Sequence, residues 1–419
     1  MTLTFSFPPA APRGVAPLAM ALCLLAWPQG DARAQATWNV TGFGTVAAVH
    51  ATQDQGDYTV NPNSPGQAGY SKAWAFDVDS RAGAQLDVRF DKRWSAVVQA
   101  TQEKSIENSY KTYLTWANVK FQATPELSLR AGRIALPLFL SADYRKVGYA
   151  LPWMRAPVEL YSLIPISYSD GVDASYRWHT GQVKHETTLS LGHATARLNK
   201  DTTGKARNIV GLTESATAGA LTVRFTAAQA LLVVPGAEAL FDGLRAFGPP
   251  GEALATRYDI AKRHVRVFSA GFNYDPGEWF VTGESGRINT GSLLGDQTAS
   301  YLSAGRRFGN VAPYVTYARL VANLATQTAG LPLDGLPPEA AAMAGFLNNA
   351  LNGQLRQIGI QDTASVGVRW DVAPSVALKA QLDRVKPRGG SVGTLINVQP
   401  GFRSGQAFNV ISLGMDVIF

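Results

Sequence analysis

The stretch Ala407-Phe-Asn-Val-Ile-Ser-Leu-Gly-Met-Asp-Val-Ile-Phe419 decides how the rest of the chain is read. Counted back from the end, Phe419, Val417, Met415, Leu413 and Ile411 fall on one side of an extended chain. Ser412, Gly414 and Asp416 fall between them. Side chains of a strand point alternately to opposite faces, so this is a ribbon with one apolar and one small or polar face. A strand buried between two layers is apolar on both faces, which this one is not.

The same two-faced pattern recurs upstream. In Asp79–Phe90, the residues Asp79, Arg81, Gln85, Asp87 and Arg89 share one face. Ala82, Ala84, Leu86, Val88 and Phe90 share the other. Alternating segments are also expected at Trp38–His50, Trp94–Glu103, Tyr110–Gln122, Leu127–Arg133, Ser169–Trp178, Gln182–Ala194 and Ala206–Ala216. They continue at Ala220–Val233, His264–Tyr274, Trp279–Asn289, Thr298–Phe308, Val311–Val321, Thr363–Trp370 and Val376–Lys386. With the final stretch this makes about sixteen strands, an even number.

Their connections sort into two kinds. Asp91-Lys92-Arg93, Thr124-Pro125-Glu126, His179-Thr180-Gly181, Asp275-Pro276-Gly277-Glu278 and Gly309-Asn310 are tight turns built from turn-forming residues. Long polar loops alternate with them. Greek-key sandwiches have no reason to sort connections this way, whereas an up-and-down barrel in a membrane does. Segments of about ten residues also suit a tilted crossing of a bilayer. An open edge in lipid would strand backbone groups without partners, so the last strand must pair with the first. Trp38, Trp94, Trp178, Trp279 and Trp370 sit beside short turns, as an interfacial aromatic girdle does; Trp116 lies mid-strand.

The apolar closing strand with its terminal Phe419 resembles the end of Gram-negative outer-membrane β-barrels, and the whole plan resembles an outer-membrane porin. The resemblance implies an all-β, transmembrane antiparallel up-and-down barrel, with short periplasmic turns and long extracellular loops. It implies an outer-membrane location in contact with lipid, recognition of the Phe419 strand by the barrel-assembly machinery, passive diffusion of small hydrophilic solutes and ions, and a homotrimer. In general porins the loop after the fifth strand folds inward. Here that loop, about residues 134–167, is proline-punctuated, aromatic and poor in charge, unlike an ordinary solvated loop. It is therefore similar to a constriction loop, with Asp143, Arg145, Lys146, Arg155 and Glu159 as expected lining groups. General-porin loops are often more acidic, whereas this one has three basic residues against two acidic, which implies a mild anion preference.

Composition agrees with this plan. The chain has 419 residues and a net charge of +7. Its mean hydropathy of −0.04 is too polar for a helical membrane protein. Residues 1–34 read as a cleaved secretory leader: Arg13, then an apolar run from Val15 to Trp27, then Ala32-Arg33-Ala34. The barrel is expected over 35–419. Cys23, the only cysteine, lies in that leader, which leaves no thiol for a disulfide or metal site. No Lys/Arg block is long enough to suggest nucleic acid. The five histidines show no metal-ligand spacing, and no nucleophile elbow is present, so no enzyme, cofactor or metal is expected. Gly42-Phe-Gly-Thr-Val-Ala47 mimics a dinucleotide fingerprint but lies within a strand.

Charged inward rows supply the remaining candidates for pore lining: Arg81, Arg89, Arg130, Asp173, Arg177, Lys379 and Asp383. Mixed signs on opposing walls bias ion selection. Three other readings stay open: a channel specific for phosphate- or carboxylate-like anions using Arg145, Lys146 and Arg155, a non-conducting barrel used for adhesion or as a scaffold, and a barrel lipase. His185 and Ser190 fall on opposite faces, against the last. In the loops, Ala340–Leu355 carries a helical stripe of Met343, Phe346, Leu347, Ala350 and Leu351, and Ala237–Phe247 a smaller one. Both are expected to pack as a local cap over the barrel mouth.

Overall fold

A computed structural model describes residues 36–61, 66–198 and 201–419. The leader expected at 1–34 lies outside the described residues. The chain forms β1 (Thr37–Ala51), β2 (Asp57–Tyr58), β3 (Ala68–Gly69), β4 (Arg81–Arg89), β5 (Trp94–Lys104), β6 (Tyr110–Gln122), β7 (Leu127–Ala135), β8 (Tyr168–Thr180) and β9 (Val183–Arg197). It continues with β10 (Thr203–Ala218), β11 (Leu221–Val233), β12 (Lys262–Tyr274), β13 (Trp279–Asn289), β14 (Gln297–Arg306), β15 (Val311–Ala322), β16 (Gln361–Ala373), β17 (Val376–Pro387) and β18 (Phe408–Ile418). Leaving aside the small β2–β3 ribbon, these strands form one closed barrel in sequence order, with sixteen members. Every alternating segment expected from the sequence is one of them.

Closure runs through β1 and β18, antiparallel from Phe43↔Ile418 to Ala51↔Val410. The backbones of Gly42 and Phe419 exchange two hydrogen bonds, 2.8 and 3.0 Å long. Gly42 is needed there, because a Cβ would collide with the Phe419 ring. Aromatic rings cover glycines directly across the ladder elsewhere too: Phe43 over Gly83, Phe280 over Gly305 and Tyr314 over Gly367. The short turns place Gly181, Gly219 and Gly309 at φ +58°, +57° and +63°, a conformation that disfavours any side chain with a Cβ.

Face alternation holds around the barrel. Val46, Leu86, Leu129, Leu189, Phe225, Phe268, Leu302, Val315, Val366 and Leu413 are exposed on the outer wall. Trp38, Phe90, Trp94, Trp178, Trp279, Phe308, Trp370 and Phe419 are exposed at its short-turn end. Trp116, mid-strand, pairs with Gln99 beside a β-bulge.

At the other end, helices Glu238–Arg245, Pro249–Tyr258 and Pro338–Leu355 share a core of Phe241, Leu244, Ala255, Tyr258, Leu347 and Leu351. The last helix buries Ala344, Leu347, Leu351 and Leu355, while Met343 and Phe346 stay exposed. The expected stripe is thus rotated. This Ala-rich helix is weakly amphipathic, and its Leu347 packs against Gly243 of the first helix. No helix among the described residues is long and apolar enough to cross a membrane.

Candidate functional site

The segment between β7 and β8 enters the barrel and is fastened to the β10–β18 wall. The carbonyl of Pro137 accepts from Thr213 and Thr226, and that of Leu138 from Ser269. The amide of Leu140 donates to Glu284, 2.7 Å away. Inward hydroxyls at half-height on three adjacent strands therefore satisfy a backbone that a buried loop would otherwise leave unpaired. Further along, Lys379 Nζ lies 2.7–2.9 Å from the carbonyls of Gly148, Leu151 and Trp153 and 2.8 Å from Asp416. Trp153 Nε1 donates to Ser303 Oγ at 2.7 Å.

The strongest fastening is Arg155. Its Nε and Nη2 contact Asp79 at 2.6–3.1 Å, and Nη1 contacts Asp383 and the Tyr58 hydroxyl at 3.2 Å. Nη2 also donates to Ser412 Oγ. Arg155 is 6% exposed, and Asp79 and Asp383 are 1% and 2% exposed. Glu159 is equally buried, between Gln361 and Thr363. Four expected lining groups, Arg155, Glu159, Lys379 and Asp383, are thus brought to the wall side of the loop and closed off by partners. Asp79, placed by its parity at the head of an inward row, precedes β4 and belongs to this cluster.

The opposite side is open. Loop residue Lys146 reaches across to Glu103 on β5. Arg145 stands beside Tyr113, Tyr161 and Glu103, and the exposed Asp143 is within electrostatic reach of Arg130. Across the gap, Arg130 grips Asp173 through three hydrogen bonds of 2.7–3.1 Å, and its side chain keeps 35% of its exposure. Arg177 pairs with Glu186 nearer the short-turn end, both about half exposed. Arg81 leans on Asp79 at 3.7 Å, and Arg89 is exposed near the turn. Asp143, Arg145, Lys146, Arg81 and Arg130, all at least partly exposed, therefore flank one gap between the loop and the β4–β9 wall, with the buried Asp173 behind Arg130. Glu103 and Lys120 belong with them; their alternating positions carry the signal by which they can be read from the sequence.

The loop also divides the lumen lengthwise. Towards the short turns, the inner faces of β9–β14 carry Glu186, Thr188, Thr213, Arg224, Thr226, Ser269, Thr282 and Ser303. Towards the long loops, the same faces carry Ala194, Ala206, Ile209, Ala228, Ala230, Leu232, Val265, Val267, Ile288 and Ala299. A cavity of about 530 Å3 lies on the polar side, with Arg224, Asp275, Arg307, Arg369 and Asp371 in its lining. There Arg307 holds Asp275 through two bonds of 2.7 Å, keeping its carboxyl below the usual value. A cavity of about 670 Å3 lies on the apolar side, and among the described residues none that line it is charged.

No family model matches the sequence, and no curated protein matches it. Solved structures do resemble the fold. An anion-selective porin from Comamonas acidovorans is 13% identical at a TM-score of 0.50, covering 92% of this chain and all of that one. The outer-membrane channel DcaP of Acinetobacter baumannii is 10% identical at 0.51, covering 93% of this chain and all of that one. OmpF of Salmonella typhi, in a complex with daunomycin, is 10% identical at 0.51, covering 91% and 97%. At such identities the likeness is one of architecture, and it agrees with the closed strand order, the lipid-type outer wall and the inward loop: the chain has the porin-like fold of a sixteen-stranded outer-membrane β-barrel.

Proposed function

We propose that the protein is an outer-membrane porin, a passive diffusion channel for small hydrophilic solutes and ions with a mild anion preference. The observation that carries this reading is the solvated, charge-lined gap beside a fastened loop, inside a closed barrel whose outer wall is apolar. Around the gap the cations Arg81, Arg89, Lys120, Arg130, Arg145, Lys146 and Arg177 outnumber the carboxylates Asp87, Glu103, Asp143, Asp173 and Glu186, so a permeating anion is favoured. Transport is downhill and uses no catalytic group. The short turns face the periplasm and the long loops the exterior, residues 1–34 are removed on export, the Phe419 strand is read by the assembly machinery, and the barrel associates as a homotrimer. These assignments follow from the porin resemblance. A single-channel recording in a planar bilayer under a KCl gradient tests the core of it. Stepwise conductance with a reversal potential of anionic sign is expected. Absence of steps from a folded barrel overturns the channel, and a cationic sign removes the preference.

A second reading rests on the polar cavity with Arg224, Arg307 and Arg369: a channel specific for phosphate- or carboxylate-like solutes. It predicts a current that saturates with such a solute and is blocked by it. A linear current rejects it.

A further inference from the structure

We propose that the apolar chamber on the long-loop side of the constriction binds a neutral, mainly hydrocarbon small molecule of alicyclic size, carrying at most one or two hydrogen-bonding groups. This deepens the porin reading, on which it rests for the route of entry. The inner face of a water-filled barrel is polar along its strands. Here several adjacent strands change from hydroxyls and charges to aliphatic side chains at the level where the loop crosses. Leaving a Leu, Ile or Val facing water forgoes about 1.5–3 kcal/mol each relative to burial. Part of that surface is covered by Leu136, Leu138 and Ile164 of the loop. What remains is open space of about 670 Å3, within the size range of small-molecule sites.

The lining chooses the ligand class. Ala230, Leu232, Val265, Val267 and Ile288 form the wall, and Ile358 closes it towards the helical cap. With no charged side chain among the described lining residues, an ionic solute would lose its hydration without a partner. Along the aliphatic wall water fares poorly as well, because an ordered water needs roughly two to four polar partners. The polar groups of the lining are uncharged, amides such as those of Gln354 and Gln357 and the hydroxyls of Ser162, Thr290 and Thr394, which suit a carbonyl or hydroxyl on the solute.

Camphor serves as the probe, with the folded protein in lipid nanodiscs and empty nanodiscs as the partition control. Saturation-transfer NMR is expected to show binding above the control, at least tenfold weaker in Ala230→Trp, which fills the chamber. Leu232→Gln, a milder change, is expected to weaken it several-fold. Heat-modifiable migration on a denaturing gel confirms that each variant is folded. Equal binding to wild type and both folded variants overturns the proposal, as does no binding to a wild type that conducts. In that last case the channel reading stands while the chamber is only a packing void. Chamber-dependent binding by a barrel that does not conduct supports the proposal and removes the channel reading instead.

Discussion

Replacing Arg155 by Met removes the one cation that two buried carboxylates share. Asp79 and Asp383 are almost fully enclosed, so neither gains water in compensation. Breaking a buried pair by deleting one partner costs about 3–5 kcal/mol. The barrel retains its ladder, so the cost falls on the docking of the loop. At about 1.4 kcal/mol per factor of ten, the ratio of docked to released loop falls by roughly two to three and a half orders of magnitude. Lys379, Trp153, Glu159 and the hydroxyls under Pro137 and Leu138 still hold the flanks, so release centres on residues 154–158. Single-channel recordings are expected to show larger and noisier conductance steps, with the heat-modifiable gel shift retained. The triple variant Asp79→Asn, Arg155→Met, Asp383→Asn leaves no unpaired carboxylate in the cluster, with Arg81 still within reach of Glu103, and is expected to return towards wild-type noise. If the single variant conducts like wild type, or the triple is noisier than the single, the buried-charge fastening is not what holds the loop.

Three further outcomes check other parts of the structure. Arg145→Ala and Lys146→Ala each remove one positive charge beside the gap, the second from its pair with Glu103; each is expected to shift the reversal potential towards cations, and an unmoved potential in both would count against their facing the path. Gly42→Val places a Cβ against the Phe419 ring at barrel closure; overpacking of this kind costs about 1–3 kcal/mol, read as a lower yield of heat-modifiable barrel, whereas Gly345→Val, in open space on a helix, leaves that yield unchanged. The Asp275 carboxyl titrates below its unfolded value because Arg307 holds it, so its contribution is present at neutral pH and is lost as pH falls through the depressed folded value. For this partly exposed pair, about 1 kcal/mol or less is expected, measured as a melting difference between wild type and Asp275→Asn that vanishes in acid.

What the sequence made legible was parity. A period of two survives any tilt or twist of a strand, so Ser412 and Leu413, or Arg81 and Ala82, could be assigned to opposite walls from their order alone. Barrel closure followed from chemistry, since lipid forbids an open edge. Arg155 shows where parity stops. Its partners are 76 and 228 positions away in sequence, and nothing in its neighbourhood distinguishes it from Arg145. Which wall an inward loop folds against is set by complementary groups on several strands, and no local pattern encodes that. The long cap helix failed for a different reason: Ala on most of its faces leaves the buried side to be chosen by the neighbouring helices.

That distinction between Arg145 and Arg155 carries the electrostatics of the pore. A guanidinium enclosed by two carboxylates about 3 Å away presents an ion with a compact, over-compensated cluster, not a free positive charge. The ion pairs at Lys379–Asp416 and Arg155–Asp79 therefore shape the lumen without greatly steering what passes through it. Charges with solvent around them, such as Asp143, Arg145, Arg130 and Arg89, act along the path, and their fields weaken over about one Debye length, ~10 Å at 0.1 M salt. Selectivity from the gap-side groups should fade as salt rises, while the bore, set by buried pairs that solvent ions screen little, should not change.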